Sequence, residues 1–185
     1  MRLLPTAFTA GLIIVSGSAL AQLDRFVVRG PAAEKIEEKN EISLDTAKKI
    51  AARCEDQART RGASASIAIL DQFGEQVYFE RMDGIRGHRQ LDAAIMKAHA
   101  VIVTHEPSHV EVNRVRQGEQ SEFHEGYYHD IFVASGGLPI VVDHQFIGAI
   151  GVGGSGFDEL CAHDALQAVI GPQPPLTPDA PRRGG

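Results

Sequence analysis

The chain has 185 residues, a formal net charge of −6 and a pI near 5.7, with no run of Lys or Arg. That balance lacks the basic footprint of a nucleic-acid binder, and the length supports one domain with a proper core rather than two. Only two cysteines occur, Cys54 and Cys161, and no C-x-x-C or C-x-x-C-H is present for redox chemistry or covalent haem attachment. The two thiols could pair in an oxidising compartment or stand apart as buried core residues, since spacing in the chain does not supply the distance between them.

Residues 1–21 have the pattern of a secretory signal: Arg2, an apolar stretch from Leu3 to Val15, then Ala19-Leu20-Ala21 as a small-x-small cleavage site. The stretch is too short and wrongly flanked for a membrane span. An exported, periplasmic or secreted product of 164 residues is therefore expected. Residues 22–42 are charged, lack a steady apolar period and are expected to form an extended arm or loose helix. A helix should begin at Ser43, whose hydroxyl can cap it, with Leu44, Ala47, Ile50, Ala51, Cys54 and Ala58 on one face and Gly62 beyond its end.

Ser64 to Leu70 alternates as a strand, Asp71-Gln72-Phe73-Gly74 offers a turn, and Gln76 to Arg81 returns as the second strand of a hairpin. After Asp83-Gly84 the period changes, and Leu91, Ala94, Ile95, Ala98 and Ile102 make a helical stripe. Pro107 is placed to open a short helix over 108–116. Gln117 to Tyr127 reads as a polar loop, and Tyr128 to Val133 as a strand with His129, Ile131 and Val133 on one face.

The apolar, glycine-dense stretch from Gly136 to Gly156 reads as a second hairpin, reversing at Asp143-His144-Gln145. Its glycines, Gly148 and Gly151 among them, leave flat patches where something else can approach the strand. Gly153, Gly154 and Gly156 lead into the last helix and read as a structural turn rather than an anion cradle, because the P-loop Lys and the dinucleotide spacing are missing. That helix carries Phe157, Leu160, Cys161, Ala165, Ala168 and Val169. Residues 172–185 are Pro-rich and expected to be disordered. The element order predicts an α+β domain over 43–171, one antiparallel sheet of about five strands covered by helices. Such a sheet needs only one packed face, leaving the other face or its edges for self-association.

Eight histidines invite a metal or haem reading. His88 and His99 are three helical turns apart, about 16 Å, so they share a meridian but not one metal ion. Each is a candidate haem contact or a solvated histidine beside a core stripe. His105 and His109 have i, i+4 spacing, but Pro107 between them belongs at a helix start and puts His105 outside. The richest cluster is Phe123-His124-Glu125-Gly126-Tyr127-Tyr128-His129-Asp130. Its imidazoles, carboxylate and phenols could hold a divalent metal through His124 and His129 or a planar macrocycle through His129. They could also do acid/base work through His124, Glu125 and Tyr127, or simply cover a sheet edge. Arg81, Asp83 and Lys97 form a charged set able to anchor ligand carboxylates or to make salt bridges.

Ile67-Ala68-Ile69-Leu70-Asp71 with Gly74, Arg81-Met82-Asp83-Gly84, Lys97-Ala98, Gly136-Gly137-Leu138-Pro139, Ile147-Gly148-Ala149-Ile150-Gly151-Val152, and then Asp158, Cys161 and Ala162 together resemble the GlcG/HbpS-like haem-binding, haem-degrading family. The resemblance spans about Ser43 to Ile170. It implies a five-stranded antiparallel α+β domain forming dimers or larger homo-oligomers, and a role in haem binding, sensing or degradation. The chain differs from the family pattern at Ile85-Arg86-Gly87-His88 and in the His/Tyr-rich segment. The leading expectation is an exported haem-binding protein with its pocket between the sheet and the helix after Gly84. Its candidate contacts are His129 as first axial ligand, His88 or His99 as second, with Arg81 and Lys97. The alternatives are a lyase or isomerase dependent on a divalent transition metal or an acid/base pair, and a noncatalytic accessory module.

Overall fold

The computed structural model describes residues 25–30, 40–118 and 132–176. Helix α1, Leu44–Thr60, is capped as expected: the Ser43 hydroxyl accepts the Thr46 N–H at 3.2 Å. Its buried face is Thr46, Ala47, Ile50, Ala51, Cys54 and Ala58, whereas Leu44, expected inside, is 48% exposed at the first turn. Strands β1, Ser66–Asp71, and β2, Gln76–Arg81, form the first hairpin. The Asp71 carboxylate closes the turn by accepting the Phe73 and Glu75 N–H groups. Helix α2, His88–Thr104, ends on His105 in a left-handed conformation, and α3, Ser108–Gln117, starts after Pro107. Strands β3, Gly137–Val142, and β4, Gln145–Gly153, are joined by a two-residue turn in which Asp143 and His144 both have positive φ. Helix α4, Asp158–Val169, follows.

The strand order is β2-β1-β4-β3, antiparallel throughout. Among the described residues the sheet has four strands rather than five. The expected fifth, Tyr128 to Val133, lies mostly outside them, and Phe132 and Val133 are not in a strand. β1 is central and buried along its whole length. Helices α1 and α4 cover one face, packing Ile50, Ala51, Ala162 and Leu166 on Ile67, Ile69, Ile140, Ile150 and Val152. Helix α2 covers the other face. Both faces are thus occupied, which corrects the expectation of an open one.

Cys54 and Cys161 form a disulfide between α1 and α4, with Cα atoms 5.1 Å apart. It closes a loop spanning 107 positions, so it restricts the unfolded chain strongly. Replacing both cysteines by Ala is expected to lower stability by about 2–4 kcal/mol. Urea unfolding of the variant beside the oxidised and the reduced wild type checks this, and equal midpoints for all three would contradict it.

The arm also has a place. Val27 bridges Ile42, the Ile42 N–H donates to Ile147 O at 3.2 Å, and Ile42 is fully buried. Beyond Pro172, where disorder was expected, Leu176 packs on the main core and His163 Nε2 donates to Pro174 O at 2.8 Å. Residues 177–185 lie outside the described part.

The α2 side of the sheet is lined by Ala and Gly. A Cβ on Gly151 would stand 1.9 Å from Ala94 O, and one on Gly137 2.3 Å from Lys97 O. What approaches these flat patches is the backbone of α2 itself, seated directly on β3 and β4.

Candidate functional site

Close seating decides which side of α2 faces in. The buried arc is Ala93, Ala94, Lys97, Ala98, Ala100 and Val101. Of the stripe read from sequence, Ala94 and Ala98 go inside, while Leu91, Ile95 and Ile102 are only half-buried. Small side chains let the helix backbone reach the glycines, so the bulky apolar residues are turned to the flank. The interface between sheet and α2 therefore has no room for a haem, which corrects the expected pocket. His99 lies half-buried on the flank with Leu91 and Ile95; His88 at the start of the helix and Val103 near its end are exposed.

Lys97 points inward and is satisfied there. Its side chain is 4% exposed, and its Nζ donates to Val152 O at 2.9 Å and pairs with Asp158 Oδ2 at 2.7 Å. The other Asp158 oxygen accepts the Ser155 N–H at 2.8 Å and the Ser155 hydroxyl at 2.6 Å. The glycine-rich turn before α4 is thus closed by this chain's own carboxylate, consistent with a structural turn. Arg81 and Asp83 are exposed and do not join Lys97. His124, Glu125, Tyr127 and His129 lie outside the described residues. Among the described residues no group of three or more His, Cys, Asp and Glu could hold a metal ion.

The structure brings together His109, weighed from sequence only as a partner of His105, and His163, which the sequence did not single out. A cleft of about 220 Å³ opens between the start of α3, β3, α4 and the segment after α4, with His109 and His163 in its lining. Most of its wall is apolar: Pro107, Val110, Leu138, Pro139, Leu166 and Leu176. The His109 side chain is 6% exposed, and its Nδ1 pairs with the Glu159 carboxylate in the first turn of α4. Its sequence neighbour of interest, His105, instead stacks on Phe146 with ring centroids 4.4 Å apart. Nothing local announces the His109–Glu159 pair, because its members are 50 positions apart and meet only when α3 and α4 pack.

Helices on both faces of a four-stranded antiparallel sheet define an α+β domain, and none of its described helices is long and apolar enough to cross a membrane. The family model described as haem degrading protein HbpS-like matches residues 42–167, and the chain belongs to this HbpS-like family. Three solved structures share the fold. Klebsiella pneumoniae protein ORFY is 26% identical, with 71% of this chain and 92% of that one covered and a TM-score of 0.64. HbpS is 24% identical over 78% of this chain and 98% of its own, with a TM-score of 0.63. A PduOC:heme complex is 19% identical over 70% and 95%, with a TM-score of 0.64. No curated protein matches the chain.

Proposed function

We propose that the protein is an exported haem-binding protein that holds haem against the flank of α2. The observation that carries this reading is the half-buried apolar stripe Leu91, Ile95 and Ile102 with His99 beside it, in a chain of a family described by haem degradation. A porphyrin needs an extended apolar surface and a neutral imidazole nitrogen for its iron. The α2 flank carries the half-buried Leu91, Ile95 and Ile102 and the imidazole of His99. The cleft at His109, at about 220 Å³, is below the roughly 300–1,000 Å³ of ordinary ligand pockets, so it is not the haem site.

His99 and His129 are the candidate axial ligands. His129 precedes by three residues Phe132, whose N–H donates to Met96 O, one turn from His99. Arg81 ends β2 opposite Ser66, which pairs with Gly153, and Gly153 sits over Gln90 O near the start of α2. It is the cation of the original set left to meet a haem propionate at the His88 end, since Lys97 is engaged internally. Haem, when bound, supplies the iron; these residues would orient it and exclude water from one face.

Export is supported by the signal-like residues 1–21 and by the Cys54–Cys161 disulfide, a bond that persists in oxidising compartments. A homo-oligomer is in keeping with the exposed Phe73, Val103 and Val141. Titration of the oxidised protein with hemin tests the reading. A shifted Soret band saturating at one haem per chain is expected. His129→Ala or His99→Ala should weaken binding at least tenfold, with a smaller effect for His88→Ala. A spectrum unchanged from free hemin would overturn it.

A further inference from the structure

We infer that the His109 cleft is a second binding site, separate from the haem surface, for a small apolar molecule carrying one hydroxyl group. Four properties of the cleft specify that ligand. Its wall is made mainly of proline, leucine and valine side chains, which reward an apolar body. Its volume, about 220 Å³, admits a molecule near the size of phenol and excludes a macrocycle. His109 supplies the polar anchor, and Glu159 sets the direction of that anchor.

A carboxylate can only accept, so the Nδ1 of His109 carries the proton that Glu159 holds, and in the neutral form of this tautomer Nε2 is the acceptor. The residue is 5% exposed, and its Nε2 makes no hydrogen bond among the described residues. An acceptor without a protein partner at an apolar cleft gains a hydrogen bond from a ligand donor that the apolar wall does not supply. The nearby Glu159 charge disfavours a carboxylate ligand on the same anchor. A hydroxyl donor fits. His163 has a different part: the Pro174 carbonyl accepts from its Nε2 and holds the Gln173–Leu176 wall in place, so this ring shapes the cleft rather than binding the hydroxyl.

The test uses the full oxidised chain with ¹³C-labelled histidine, titrated separately with phenol, toluene and benzoate while the ring signals are followed by NMR. Phenol should move the His109 ring signals in a saturable way, with toluene and benzoate binding at least tenfold more weakly. His109→Phe keeps the ring volume and apolar wall; in that variant phenol and toluene should bind equally. The inference is overturned if phenol leaves the His109 signals unmoved, or if phenol and toluene bind equally to the wild type. Because these readings come from the wild type, they stand whether or not the variant folds, and neither depends on haem.

Discussion

Asp158→Ala is expected to destabilise the protein by about 3–5 kcal/mol, the range found when one partner of a buried ion pair is removed. Lys97 is nearly inaccessible, and without Asp158 its ammonium keeps, among the described residues, only the Val152 carbonyl as partner. The substitution also strips Ser155 of the acceptor that holds the turn into α4. Lys97→Met should cost much less, because it removes the charge instead of stranding it, and Asp158 is the more exposed member at 16%. Urea unfolding of both single variants and of the Lys97→Met/Asp158→Ala double variant separates the pairwise contribution. A double variant less stable than Asp158→Ala alone would show that the stranded charge is not the cause.

Gly151→Val should disrupt the α2 side of the domain altogether. The added Cβ would fall 1.9 Å from Ala94 O and 2.7 Å from Ala98 N, and both are backbone atoms that no rotamer change can move aside. Ordinary overpacking costs about 1–3 kcal/mol because side chains shift; here a whole helix must lift from β4, so the loss should exceed that range. Thermal unfolding followed by near-ultraviolet circular dichroism is the check. We expect the cooperative transition to be lost or its midpoint to fall by more than about 10 °C, allowing about 4 °C for each kcal/mol in a domain of this size. A midpoint within a few degrees of wild type would mean that α2 is not seated on the glycines.

Much of the framework was readable from local chemistry. Ser43 caps α1, Pro107 opens α3, and both hairpins turn where Asp, Gly and His interrupt apolar runs. The glycines of β3 and β4 announced a close approach without saying by what. The stripe on α2 was misassigned because hydrophobicity alone ranks Leu91, Ile95 and Ile102 as core, whereas close packing gave that place to Ala94, Ala98 and the stem of Lys97. For Lys97 the sequence leaves a ligand anchor and a salt bridge both open, and the salt bridge forms with a partner 61 positions away that no local spacing announces.

The sequence by itself determined the element types, their order and most of their ends, because caps, turns and alternation act between residues a few positions apart. Only the tertiary structure decided that both sheet faces are covered, that Cys54 meets Cys161, that Lys97 pairs with Asp158 and that His109 is held by Glu159 beside a small apolar cleft. Each of the three residue pairs joins positions 50 or more apart. Such contacts depend on how helices seat on a sheet, which here follows from the missing side chains at Gly137 and Gly151.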